Sequence, residues 1–414
     1  VEIVFDNLET SLWYLIFSLW WIYTPVLMFF LLVFFFQAYT KAKYFYSLKW
    51  VLLEIRVPSE GVKSPKAMEN IFSALHAVLL PIKPFREKFL KGKVNDWYSL
   101  EIVGKSGEVK FYIRTLEATR NLVETQFYAQ YPNCELIEVE DHVAALPAFS
   151  EGEYDVFGTE FILTKEDVYP IKTYLEFEEL NPARKENVQR LDPLASITEA
   201  LSRLNPGEYL GMQVLARPTG DAWVKKGQEV IDKLLGKEPK KPEGAFTGLA
   251  KRLAALLPGE AAPKEEKKEE RRKDQTPGQY EVLKAVEASM SKLGYSSGVR
   301  FLYMAPKETF QRGHVASVNG AMKLFATNNL NGFKMNMKVT TLVAKQPFKK
   351  RKIRRKKIMI LRNYKLRQFV ASPGILNTEE LATVYHFPDV GVRAPLMPRI
   401  EAKKGEPPAE LPVG

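Results

Sequence analysis

The chain has 414 residues, 46% of them hydrophobic and 26% charged, and a formal net charge of +11. That length and apolar content suffice for two ordinary cores and exclude a disordered tail, while the lone cysteine, Cys134, excludes an internal disulfide and fits a reducing compartment. The basicity is local: from Thr309 to Thr378 there is no Asp or Glu while Lys and Arg number sixteen, so the rest of the chain is net acidic.

Residues 1–10, "VEIVFDNLET", carry three acids, and residues 11–40 carry no charge at all. About 20 apolar residues cross a bilayer, so 11–40 reads as a transmembrane anchor; a cleaved signal peptide would need a positive leader and a shorter apolar run. Lys41, Lys43 and Lys49 follow the span, which places the bulk of the chain in the cytoplasm and residues 1–10 as a short extracytoplasmic tail. The expectation is a single-pass protein of the bacterial inner, cytoplasmic membrane. Pro25 within the span invites a kink, or a re-entrant hairpin that would reverse the placement of the N-terminus.

Residues 50–145 follow the order β-α-β-β-α-β. "WVLLEIRVP" is a strand; Ser64 and Pro65 open a helix with Met68, Ile71, Phe72, Leu75 and Leu79 on one stripe; "WYSLEIV" and "EVKFYIR" are strands joined by "GKSG". A helix near Leu116 to Tyr131 and the strand "CELIEVE" complete a ferredoxin-like, split βαβ unit. A second α+β domain occupies 154–235 and 279–340. It has expected strands at Gly158–Leu163, Ile171–Phe177, "EYLGMQVLARP" and "GVRFLYMAP", and expected helices around Ile197–Leu204, over "DAWVKKGQEVIDKLLG", from Gln279 to Leu293 and beginning near Lys307. The fold class is therefore α+β, one N-terminal transmembrane helix followed by ferredoxin-like modules. Residues 236–278 form a charged, Pro/Gly-rich insertion, in which "FTGLAKRLAALLP" has the spacing of a short helix that lies back on the domain or touches a membrane or partner.

Catalytic signatures are missing. "VGKSG" ends like a phosphate-binding loop, but Ser99 stands where another glycine is required, and Lys105 and Ser106 lead into a strand and not a helix. His76, His142, His314 and His386 are dispersed; Glu138, Glu140 and His142 could share a strand face, but a solvated edge explains them more simply than a metal does, and His76 reads as a hydrogen-bonded core histidine. The expectation is a protein that is not an enzyme and holds no cofactor.

The basic segment, 345–370, is the strongest signal. Lys349, Lys350, Arg351, Lys352, Arg354, Arg355, Lys356, Lys357, Arg362, Lys365 and Arg367 repel one another unless an anionic partner supplies charge. Nucleic acid, bound without sequence preference, is favoured over anionic lipid because lipid-directed clusters usually abut the span, and an acidic protein is a further alternative. In residues 375–414, Asn377 and Glu380 form an N-cap pair for a short helix carrying Leu381, Val384 and Tyr385, and a proline-rich tail follows.

"LEIRVPSEGVKSPKAMENIFSALHAV" and "ILNTEELATVYHFPDVGVRAPLMPRIEAKKGEPPAELPVG" resemble the membrane-anchored N-terminal region that accompanies type IV secretion-like, conjugative DNA-transfer ATPases of candidate-phylum bacteria. The resemblance implies an anchor and docking module for a motor of the coupling-protein or HerA–FtsK type, and an oligomer is expected. No nucleotide-binding motif is present, so it transfers no ATPase activity.

Overall fold

The computed structural model describes residues 18–57, 64–178, 192–235, 276–344 and 347–388. The proposed helix within 236–278 and the tail beyond 388 lie outside these residues. Helix α1, Trp20–Ser47, is long and apolar enough to cross a membrane. It continues seven residues past the expected end of the span, carries Lys41 and Lys43, and contains Pro25 without ending there.

The first module follows the expected order: β1 (Trp50–Arg56), α2 (Lys66–Leu75), β2 (Tyr98–Lys105), β3 (Glu108–Leu116), α3 (Arg120–Gln130) and β4 (Glu135–Glu138). All its pairings are antiparallel, in the order β4-β1-β3-β2. "GKSG" is a two-residue hairpin turn with Ser106 and Gly107 at φ 51 and 83, as a primed turn requires. Met68, Ile71, Phe72 and Leu75 are buried as their spacing suggests, but Leu79 lies beyond the helix.

The second module comprises β5 (Tyr154–Leu163), α4 (Tyr174–Glu178), α5 (Pro193–Ser202), β6 (Tyr209–Pro218), α6 (Ala222–Leu234), α7 (Pro277–Met290), β7 (Gly294–Pro306), α8 (Arg312–Lys323) and β8 (Phe333–Met335). Two expectations are corrected. The strand over Ile171–Phe177 is replaced by irregular chain and the short helix α4, whose Tyr174 and Phe177 point inward three residues apart. The helix expected near Lys307 begins at Arg312. Strand order is β6-β7-β5-β8, so with α5 and α8 as its helices this module repeats the connectivity of the first, and α6 and α7 pack together as a hairpin at the base of the insertion. β2 and β6 pair antiparallel over eight residues, so the two units form one sheet.

After β8 come α9 (Lys349–Lys365), β9 (Gly374–Asn377) and α10 (Thr378–Val384). The sequence did not suggest β9, which pairs with β7. The capping box of Asn377 and Glu380 is present, and every residue of α10 is buried, so this helix belongs to the core. The sheet has two covered faces. One carries α2, α3, α5, α8 and α10 over Leu53, Leu100, Ile113, Met212, Val299 and Phe301. The other carries α9 over Val103, Tyr112, Tyr209, Leu302 and Met304.

Glycines let α9 approach closely. A Cβ on Gly211 would lie 1.9 Å from Tyr364 Oη, and that hydroxyl cannot swing aside without breaking its 2.8 Å bond to Tyr209 Oη. Gly211→Ala is expected to cost about 1–3 kcal/mol by overpacking, whereas Gly220→Ala, where nothing stands within 4 Å, stays within about 0.5 kcal/mol. Urea unfolding of the two variants in detergent checks the difference.

Candidate functional site

Five hydrophobic or amphipathic positions explain why the basic segment is a helix. Ile353, Lys357, Ile360, Leu361 and Tyr364 fall at i, i+4, i+7, i+8 and i+11, one stripe of an α-helix, and Ile360, Leu361 and Tyr364 are buried against the sheet. Of the remaining positions, Lys349, Lys350, Arg351, Lys352, Arg354, Arg355 and Arg362 carry charge outward, and Ile358 and Met359 are exposed among them. Phe348 precedes the helix in the left-handed region (φ 58), offers no side-chain cap, and its ring is 77% exposed. The first turn holds only cations, against the positive end of the helix dipole.

The eleven basic residues do not act as one patch. Lys349, Lys350, Arg351, Lys352, Arg354, Arg355 and Arg362 are exposed. Arg354 lies 3.5 Å from Glu151, with both side chains largely in water, a contact worth little. The other four are drawn into the fold. Lys356 Nζ donates to the carbonyls of Met337 (2.7 Å) and Thr340 (3.0 Å); Lys357 pairs with Asp155; Lys365 donates to the Leu146 carbonyl. Arg367, just past the helix, is buried, and its guanidinium serves the interior and not the surface. Beside α9, Lys352, Arg355 and Lys356 border a groove floored by Met337, Leu342, Val343, Ala344 and Met359.

What holds the helix is a polar row crossing six strands. Glu54, Tyr112, Glu101, Gln213, Arg300 and Glu160 are successive register partners and therefore share the face that α9 covers. Arg300 binds Glu160 through Nη2 (2.6 Å) and donates to the carbonyls of Asn363 (3.0 Å) and Gln368 (2.8 Å); Gln213 Nε2 donates to the Tyr364 carbonyl (3.0 Å). The Asn363 and Tyr364 carbonyls at the end of α9, which also accept the backbone N–H groups of Gln368 and Arg367, are thus tied to the sheet. Arg367 Nε donates to Glu101 (2.6 Å), and its Nη1 and Nη2 hold Asp141 bidentately at 2.7 and 2.8 Å.

His142 completes the set. β4 ends at Glu138, so Glu138, Glu140 and His142 do not share a strand face; the chain turns, and the His142 ring stacks on Tyr112 at 4.8 Å. Its Nε2 bonds Glu101 (2.8 Å), and Nδ1 shares a hydrogen bond with Tyr209 Oη (3.0 Å). Burial alone would raise the Glu101 carboxyl, but the adjacent Arg367 charge and the His142 hydrogen bond override it and hold that carboxyl well below its ordinary value. Asp141 behaves likewise: burial opposes, and hydrogen bonds from Arg367 prevail. Among the described residues no cluster of His, Cys, Asp and Glu is arranged to hold a metal ion. His76 Nε2 lies 3.1 Å from the Thr219 carbonyl and 3.2 Å from that of Gly294, a structural bridge between α2 and the second module.

Residues 46–396 match the family described as Domain of unknown function (DUF8128), and the chain belongs to that family. A comparison with curated proteins gives no match.

Removing one partner of the buried pair leaves an uncompensated charge. Arg367→Met is expected to cost about 3–5 kcal/mol and to speed amide exchange across α9, while Arg362→Met, on the exposed side, leaves both within error. The pH dependence follows the depressed carboxyls. Because Glu101 and Asp141 titrate lower in the folded chain than their ordinary 4.5 and 3.8, their contribution is complete above that range and is lost as pH falls through it toward the folded values. Glu101→Gln should flatten the acid limb of a stability–pH curve measured by urea unfolding.

Proposed function

We propose that the chain is a non-catalytic, membrane-anchored component of a conjugation-like, type IV secretion-related DNA-translocation machine. α1 seats it in the bacterial cytoplasmic membrane, and α9 contacts nucleic-acid phosphates. The observation that carries the nucleic-acid part is the cationic first half of α9: Lys349, Lys350, Arg351, Lys352, Arg354 and Arg355 are exposed on a helix whose other end is fixed to the sheet. A helix that opens on an uncapped turn of cations gains stability from a bound anion twice over, from the side chains and from the free N–H groups. The exposed Phe348 ring beside them suits stacking with an unpaired base.

Anionic lipid is the second reading for this helix, and its placement weakens that reading. Phe369 and Val370, just past α9, pack with Phe45 and Trp50 where α1 joins the sheet, whereas Lys356 reaches Met337 and Thr340 beyond β8. Seventeen helical residues span about 25 Å, several Debye lengths at physiological salt, so the exposed cations of the first half of α9 lie well away from the α1 exit. The motor ATPase as docking partner rests on the resemblance of the terminal segments, and the non-catalytic reading rests on the absence of a phosphate-binding loop around Lys105.

The test titrates DNA onto the full chain held in nanodiscs of neutral lipid. Log affinity should fall linearly with log salt, with a slope of roughly −0.7 to −0.9 for each phosphate contact. Replacing Lys349, Lys350, Arg351 and Lys352 together by Gln should weaken binding to all sequences alike and flatten the slope. Salt-insensitive or undetectable DNA binding, with α9-dependent adhesion to anionic vesicles, would move the assignment to the lipid.

A further inference from the structure

The segment Leu79–Lys93, between α2 and β2, folds back on α1. The Phe89 ring lies 6.0 Å from that of Phe36 and stacks on Phe85 at 5.7 Å. Gly92 has φ +66, and a Cβ there would stand 2.4 Å from the carbonyl carbon of Thr40, so the backbone approach demands glycine. Thr40 is the one buried residue of α1. These contacts fix a level along the helix. Phe36 ends the unbroken apolar run from Pro25, and Lys41 is the first charge beyond it.

At that level the segment turns apolar side chains outward. Leu80, Phe85 and Leu90 are 56%, 71% and 45% exposed, far more than a water-facing loop of this size needs. Lys83, Arg86, Lys88 and Lys91 are exposed among them. The single acid of the turn, Glu87, is folded back to accept from the Lys83 backbone N–H at 2.9 Å, which leaves the outer surface cationic. An apolar edge ringed by cations, continuous with a bilayer-length apolar helix at the point where its apolar surface ends, is complementary to an anionic membrane interface.

We propose that Leu80–Lys93 is a second membrane contact, lying in the interface beside α1 with Phe85 and Leu90 inserted among the lipid chains and Lys83, Arg86, Lys88 and Lys91 on anionic headgroups. It rests on α1 spanning the membrane. Four residues after the segment the chain enters β2, the seam strand, so the contact adds a second point at which the membrane sets the tilt of the sheet, beside the packing of Phe45 on Trp50 and Trp97 at the end of α1.

The test uses the full chain, Cys134→Ala, reconstituted in phosphatidylcholine vesicles with and without phosphatidylglycerol. Nitroxide labels are placed singly through Phe85→Cys, Leu90→Cys, Phe30→Cys in the centre of α1, and Lys105→Cys in the hairpin turn. Collision with oxygen, relative to a hydrophilic nickel chelate, is expected to be several-fold higher at positions 30, 85 and 90 than at 105. Replacing Lys83, Arg86, Lys88 and Lys91 by Gln should shift position 85 toward the chelate only where phosphatidylglycerol is present. Chelate access at 85 and 90 equal to that at 105, with 30 still in lipid, overturns the second contact and leaves the anchor standing. Shielding of 85 and 90 from both reagents overturns it in favour of a protein partner. Chelate access at position 30 overturns the anchor, and the contact with it.

Discussion

Two buried ion pairs, Arg300 with Glu160 and Arg367 with Glu101, stand on one face of the sheet on either side of Gln213, and the placement of α9 depends on both. Charges in that position contribute little net stability compared with an apolar interior, because desolvation offsets most of their attraction. Their effect is to penalise every other arrangement. If α9 slid by one turn, Arg300 would lose the Asn363 and Gln368 carbonyls and Glu101 would lose its guanidinium, each a buried charged group left short of partners. The pairs therefore convert a loosely amphipathic cationic helix into one with a single docking register, and the exposed cations inherit that fixed position.

The seam makes such a surface possible. Two units of equal connectivity meet through β2 and β6, so their helical layers fall on one side and the opposite face stays open across both. That open face is where α9 and the turn carrying Asp141 and His142 settle. The C-terminal part then stitches the units together: β9 extends pairing along β7 of the second module, while α10 packs on α2 of the first, and Tyr385 Oη donates to the Tyr112 carbonyl.

The first module was legible because its signals are local: period-two strands, a glycine hairpin and a proline-opened helix all lie within a few residues of each other. The second module's repeated connectivity was harder, since the insertion separates its middle strands and its last strand has three residues. The Ile171–Phe177 stretch looked like a strand through its β-branched and aromatic content, although the inward residues Tyr174 and Phe177 carry helical spacing. In the basic segment, dense charge obscured the stripe from Ile353 to Tyr364. Glu101 and Arg300 could not be recognised as buried from their own strands, where they occupy the polar positions of an alternating pattern. Only the long-range arrival of α9 makes that face an interior.

Both flanks of the sheet end abruptly. β4 has four residues and β8 three, and what β8 leaves open along β5 is met by the chain after it, with Asn336 N–H on the Glu160 carbonyl (2.8 Å) and Thr341 N–H on that of Gly158 (3.1 Å). A membrane confines its proteins to two dimensions and raises their local concentration, which is the circumstance in which an open strand edge would recruit a neighbour into a continuous ribbon. Here a second copy could add only a few ladder bonds at either flank. Copies held on one surface would then meet through side chains, and any ring or cluster they built could come apart again without unpicking a sheet.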